Sequence, residues 1–204
     1  LNRVVPVIDY LSKRYDVPIS VDTTRPSVAA AAIDAGGEII NDISGLRWDG
    51  ALANVAAATG AGLILMHSRG TFETMHSEPP GDGAVMDVAA GLRKSIGVAR
   101  SAGVSDKQIA VDIGIGFGKT LEQNLELLRK LDRIVAEFET YPMLVGTSRK
   151  SFIGKLLGGV AVEERLSGSI ATAIVAAQKG AKILRVHDVK ETVQALKMLA
   201  AIEQ

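Results

Sequence analysis

Val111-Asp112-Ile113-Gly114-Ile115-Gly116-Phe117-Gly118-Lys119 is the stretch on which the reading of this chain turns. The apolar run ahead of it, Ile109-Ala110-Val111, has the length and character of a buried strand, and a carboxylate stops it. Gly114, Gly116 and Gly118 then stand at alternate positions, which frees the backbone to take positive φ and to come close to a ligand, with Phe117 held between the last two. Two familiar phosphate loops fail on spacing. A Walker loop ending at Gly118-Lys119-Thr120 needs glycine where Ile113 stands, and a dinucleotide fingerprint needs its third glycine one residue further on. The loop is therefore either a conformational turn or a ligand contact, and the other strand ends of the chain have to decide.

Outward from this stretch the same unit recurs. Val4, Ile8, Leu11 and Tyr15 predict a leading amphipathic helix over roughly the first fifteen residues. Val17 to Val21 reads as a strand ending at Asp22, followed by an alanine-rich helix with Pro26 in its first turn, a cap from Thr23 or Thr24, and a stop at Gly36-Gly37. Glu38-Ile39-Ile40 runs into Asn41-Asp42, and a helix follows from Ala51 to Thr59. Leu63 to Met66 stops at His67, and the loop from Ser68 to Gly83 has the length of a functional lid. A helix from about Met86 to Ala102 leads back to the Asp112 strand. Beyond it lie the stripe Leu121, Leu125, Leu128 and Leu131, a strand Met143 to Val145 ending at Gly146, and helices opening near Ser151 and Glu163. A last strand from Ile183 to Val186 and a closing helix lined by Val189, Val193, Leu196 and Leu199 complete the chain. Strand-then-helix units without a hairpin signal predict an α/β fold of parallel strands joined by right-handed crossovers. With no linker or repeat, residues 1–204 read as a single domain.

Composition narrows the function classes. At 47% hydrophobic and 23% charged residues the chain can bury one substantial core. A formal net charge of zero argues against a general electrostatic grip on nucleic acid or on an anionic membrane. The absence of cysteine removes disulfides, thiolate nucleophiles and zinc–thiolate sites, so a reducing cytoplasm is the expected compartment. No apolar run reaches the length of a membrane span. The sequence starts at Leu1, without methionine and within a helical pattern, and reads as a fragment.

The polar residues collect at the carboxyl ends of the expected strands: Asp22, Asn41, His67, Asp112, the Ser148 to Ser151 cluster, and Arg185 with His187. Each has an ordinary explanation by itself. Asp22 and Asn41 suit helix caps, single histidines make ordinary hydrogen bonds, and Arg149-Lys150 could be solvated charge. In a parallel barrel, however, the strand ends share the face where such barrels keep their chemistry.

At these residues the sequence resembles the dihydropteroate synthase family of pterin-binding enzymes. The matching stretches are Ile19 to Thr23, Ile40 to Ile43, Leu65-Met66-His67, Asp112 with the loop to Lys119, Val145 to Ser151, Arg165 to Ser169, and Arg185 to Asp188, in the family's order along the whole chain. The resemblance implies a (β/α)8 TIM barrel, here with about six βα units and the first two strands missing. It also implies condensation of a hydroxymethyl-dihydropterin diphosphate with para-aminobenzoate, aided by Mg2+. The asparagine that helps hold magnesium in the family falls in the missing part, so no metal ligand is expected in this chain. Ile113 stands where many members have proline.

By the same resemblance, Asp22, Asn41, Ile43, Met66, Asp112, Gly146, Lys150 and Arg185 would bind the pterin. Phe117, Ser148, Arg149 and Ser151 would receive para-aminobenzoate, and Arg185 with His187 would clamp the diphosphate. Asp22, Lys150, Arg185 and His187 would carry the chemistry. A pterin edge of N–H donors suits buried carboxylates and an amide, and a fixed cation suits a departing diphosphate. No nucleophile sits beside a general base, which favours departure of diphosphate before attack by the arylamine. The family commonly forms homodimers through its last helices. Two alternatives stay open: a pterin-binding methyltransferase domain, and a non-catalytic pterin-binding fragment with little activity of its own.

Overall fold

Short strands alternate with helices throughout the computed structural model, which describes residues 1–71, 73–74 and 83–203. Of the long loop between Ser68 and Gly83, residues 72 and 75–82 lie outside the described residues. The chain divides into two compact units, one formed by Leu1–Ser68 and Val88–Val111, the other by Arg69–Asp87 and Asp112–Gln204.

The first unit opens on helix α1 (Val5–Ser12), whose Ile8 packs on Val21 and Ala32. The helix stops short of Tyr15, which lies exposed instead of continuing the apolar stripe. Strand β1 (Ser20–Asp22) is also shorter than the sequence suggests, because its ladder with β2 (Ile39–Asp42) begins at Ser20↔Ile39. Helix α2 (Pro26–Asp34) connects the two, with its proline in the first turn. The expected threonine cap is absent: Arg25 occupies the cap position without a side-chain bond, and Thr23 Oγ1 instead accepts from the Arg25 N–H at 3.1 Å. Helix α3 (Ala51–Thr59) ends on the left-handed Gly60, and β3 (Gly62–Met66) pairs parallel to β2 from Ile39↔Gly62 to Asp42↔Leu65. Leu63, Leu65 and Met66 are fully buried, and each such side chain contributes roughly 1.5–3 kcal/mol to folding. Helix α4 (Ala84–Ser101) follows the loop, and β4 (Ile109–Asp112) hands the chain to the second unit.

In the second unit the expected leucine stripe is split between α5 (Leu121–Arg129) and α6 (Leu131–Glu137), broken at Lys130. Its buried face is Asn124, Leu127, Leu128 and Leu131, so Leu121 and Leu125 are only partly covered. Strand β5 (Met143–Val145) precedes α7 (Ser151–Leu156) and α8 (Leu166–Gln178). It pairs parallel with β6 (Ile183–Leu184), and α9 (Val189–Ile202) closes the chain. The strands lie in the sheet in chain order, β1-β2-β3-β4-β5-β6. Sequential parallel βα units of this kind make the fold a partial (β/α) TIM barrel. Among the described residues no helix is long and apolar enough to cross a membrane.

Candidate active site

In the first unit the strand ends place Asp22, Asn41, Ile43, Met66 and His67. Asn41 is buried at the end of β2, and its Nδ2 donates to Asp22 Oδ1 at the end of β1. This bond follows from the parallel register, which sets Asp22 opposite Asn41. The oxygen of the same amide, Asn41 Oδ1, is buried without a hydrogen-bond partner among the described residues. Asp42, by contrast, is spent on structure. It accepts from Ser44 N–H and Oγ–H at 2.8 and 2.7 Å and from Leu46 N–H at 2.6 Å, bracing a turn in which Leu46 takes φ +64°. Burial raises its pKa while these donors hold it down. Ser68 Oγ donates to the Ile43 carbonyl at 2.8 Å and accepts from Arg47 Nη2 at 2.8 Å. Met66 is fully buried, and His67 packs so closely on Gly91 of α4 that a Cβ there would lie 2.5 Å from the ring.

The second unit holds the glycine loop. Asp112, 1% exposed, accepts from the Gly114 N–H at 2.7 Å through Oδ1. Its Oδ2 receives no hydrogen bond from the described residues and lies 3.6 Å from Arg185 Nη2. Gly114, Gly116 and Gly118 have φ of +65°, +82° and +64°, values that L side chains rarely adopt. Two side chains truss this loop. Lys119 Nζ donates to the carbonyls of Gly114 and Phe117 at 2.8 and 3.1 Å. The buried Asn124 accepts from the Gly116 N–H and donates to the Thr120 carbonyl, both at 2.7 Å. Lys150 crosses the loop, its Nζ donating to the Ile115 carbonyl and lying 4.7 Å from the centre of the Phe117 ring. A Cβ at Gly116 would come within 3.1 Å of its Cδ, so the missing side chain gives Lys150 its path.

After β5, Gly146 lets the Arg185 guanidinium lie against bare backbone: a Cβ there would sit 3.2 Å from Arg185 Nε. Ser148 Oγ, buried, accepts from the His187 N–H at 3.1 Å and is 3.0 Å from His187 Nδ1. Arg149 takes a left-handed φ of +57° and forms a forked ion pair with Asp188, its Nε 3.0 Å from Oδ2 and its Nη2 on Oδ1. Its backbone is pinned from α8: the Arg149 N–H donates to Ser169 Oγ at 2.9 Å, and Arg165 Nη1 donates to its carbonyl at 2.9 Å. Ser151 begins α7 and is exposed.

The electrostatics follow from burial and neighbouring charge. Lys150 is pushed down to about 8 by burial and further by Arg185, with Asp112 opposing. Lys119 falls to about 7, chiefly by burial, with Asp112 again opposing. The hydrogen bonds from Arg149 hold the Asp188 carboxyl below its ordinary range. Among the described residues of the second unit, Asp112 Oδ2 is thus a buried acceptor without a hydrogen bond, 3.6 Å from Arg185 Nη2 and within the electrostatic reach of Lys150.

A family model described as pterin binding enzyme matches residues 1–187. The chain belongs to the pterin-binding enzyme family. It is 45% identical to the dihydropteroate synthase of Escherichia coli strain K12 over 203 residues, 98% of this chain and 70% of the relative. The crystal structure of dihydropteroate synthase from Stenotrophomonas maltophilia with active-site-bound imidazole superposes with a TM-score of 0.95 at 43% identity, covering 100% of this chain and 76% of that one. The Xanthomonas albilineans dihydropteroate synthase in complex with 7,8-dihydropteroate gives 0.92 at 39% identity, covering 100% and 73%. These relatives answer the choice between a synthase and a methyltransferase in favour of the synthase.

As a member of this family the chain brings together, within the second unit, Asp112, Gly146, Lys150 and Arg185 around the glycine loop, and Ser148 with His187. The Arg149 guanidinium is held by its pair with Asp188. Within the first unit Asp22 and Asn41 are directly bonded. The reading of single residues missed Lys119, Asn124 and Asp188. Lys119 sits in a Walker-like ending whose spacing fails, and Asn124 hides inside a leucine-rich helix pattern. Asp188 could have been found as the carboxylate next to His187. Among the described residues no group of three His, Asp or Glu side chains converges as a metal site.

Proposed function

We propose that this chain is a dihydropteroate synthase of folate biosynthesis, a transferase that joins 6-hydroxymethyl-7,8-dihydropterin diphosphate to para-aminobenzoate and releases diphosphate. The observation that carries the site assignment is Asp112 Oδ2, an acceptor on a carboxylate 1% exposed that no described donor satisfies. Buried acceptors are normally bonded, and one left open beside Lys150 and Arg185 suits a ligand that brings N–H donors and leaves with negative charge. Asn41 Oδ1 in the first unit is open in the same way.

In this reading Asp112 accepts from the pterin's ring N–H and exocyclic amine, and Lys150 donates to its oxo and ring-nitrogen acceptors. In the first unit Asn41, held by Asp22, offers its open oxygen to the pterin, with Ile43 and Met66 assigned to the same ligand; in the second unit Gly146 is assigned to it. Asp22 also stabilises the positive charge that develops at the methylene carbon. Arg185 and His187 bind the diphosphate and stabilise its charge as the C–O bond breaks. The bond breaks ahead of attack, and the arylamine nitrogen then adds to the pterin methylene cation and loses its proton. Ser151 and Phe117 receive the arylamine's carboxylate and ring. Ser148 and Arg149 serve through their bonds to His187 and Asp188, which set the loop's shape. A magnesium ion brought in with the diphosphate would neutralise phosphate charge as the leaving group departs. We also assign a homodimer through α8 and α9, where Val175, Val189, Val193, Met198 and Ile202 are exposed.

Calorimetry of the pterin diphosphate decides the site assignment. Asp112→Ala and Lys150→Ala are each expected to weaken binding by about 1–3 kcal/mol, the cost of stranding a ligand's polar group. Unchanged affinity in both variants overturns it.

A further inference from the structure

We infer that Lys119 is a positioning residue for the arylamine, tying the Gly114 and Phe117 carbonyls together so that the phenyl ring of Phe117 is set over Lys150. The inference rests on the synthase reading and goes beyond it in giving a role to a side chain outside the substrate contacts. The glycine loop has little preference of its own, because each glycine that turns it is free to take either sign of φ. Something must select one shape. The Phe117 N–H donates back to the Gly114 carbonyl at 3.2 Å, and Lys119 Nζ lies 2.8 Å from that same carbonyl. Lys119 Nζ also lies 3.1 Å from the Phe117 carbonyl. The peptide planes on both sides of Phe117 are therefore held, and with them the direction in which its ring leaves the backbone.

Asn124 fixes the other half of the loop through Gly116 and Thr120 but touches neither peptide group of Phe117. The ring's aim thus depends on Lys119. The result is visible at the ring itself, which lies 4.7 Å from Lys150 Nζ, the cation that also donates to the Ile115 carbonyl in the middle of the loop. The Gly118-Lys119-Thr120 sequence that looks like the end of a phosphate loop is accounted for: the ammonium is folded back onto carbonyls of its own loop.

The test uses Lys119→Met, which keeps the stem and removes the donors, and Lys119→Arg, which restores donors. In steady-state kinetics at saturating pterin diphosphate, K119M is expected to raise the KM for para-aminobenzoate about ten-fold, with kcat and calorimetric pterin affinity within about two-fold, and K119R to recover much of the loss. Hydrogen exchange without substrate should show faster exchange of the Phe117 N–H in K119M. An unchanged KM, or equal loss of pterin affinity and melting temperature in both variants, overturns the inference. Absence of turnover in the unsubstituted protein alongside faster exchange in K119M counts against the synthase reading and supports the tether.

Discussion

Lys150 and Lys119 share the cost of building a cationic site on a partly dry loop. Burial disfavours an ammonium, and Asp112 offsets only part of that penalty, so Lys150 titrates at about 8 and Lys119 at about 7 against an ordinary 10.5. The unfolded chain therefore holds more protons than the folded chain between about 8 and 10.5 at Lys150. Stability contributed at this residue must rise with pH across that window, the penalty being complete below it. Urea unfolding of the protein and of Lys150→Met from pH 7 to 10.5 measures this directly. The native protein is expected to gain stability relative to the variant as pH rises through the window; parallel curves would show that the ammonium pays no burial penalty.

The loop after β5 and the turn after β6 belong to different elements, yet each depends on the other. Arg149 reaches Asp188 with two nitrogens, and Ser148 bonds His187 through both a backbone and a ring nitrogen. The left-handed backbone at Arg149 is tolerated because Ser169 and Arg165, both belonging to the α8 approach, hold its N–H and carbonyl. Arg149→Ala and Asp188→Ala are each expected to lower activity, and the double variant to be no worse than the more damaging single one, as a pair acting as a unit requires. Kinetics of all three variants provide the check, and additive losses would show that the two residues act separately. The stretches containing Arg149, Ser169 and Asp188 are recognisable in the sequence, but their pairing with one another is not. The reason is physical: a side chain's partner across two loops is a matter of their mutual placement, which spacing along the chain does not encode.

Exposed apolar side chains gather on the last helices, with Val193 43%, Met198 63% and Ile202 76% exposed on α9. Exposed apolar residues grouped on neighbouring helices are a surface that association can cover. Val193→Glu with Met198→Glu is expected to shift the mass in light scattering from dimer to monomer while leaving pterin affinity unchanged. A monomeric unsubstituted protein would remove the proposed interface.

The amino-acid sequence by itself determined the alternation of strands and helices, the carboxyl-end placement of Asp22, Asn41, Asp112 and Arg185, and the family. These are readable because hydrophobic period and strand-stopping polar residues are local properties. Tertiary structure alone decided where α1 and β1 end, that Asn124 is a buried brace, that Asp42 is consumed by its own turn, and that Arg149 belongs to Asp188. Each of these depends on which donor meets which acceptor once the backbone has closed, and that pairing is fixed by packing in three dimensions.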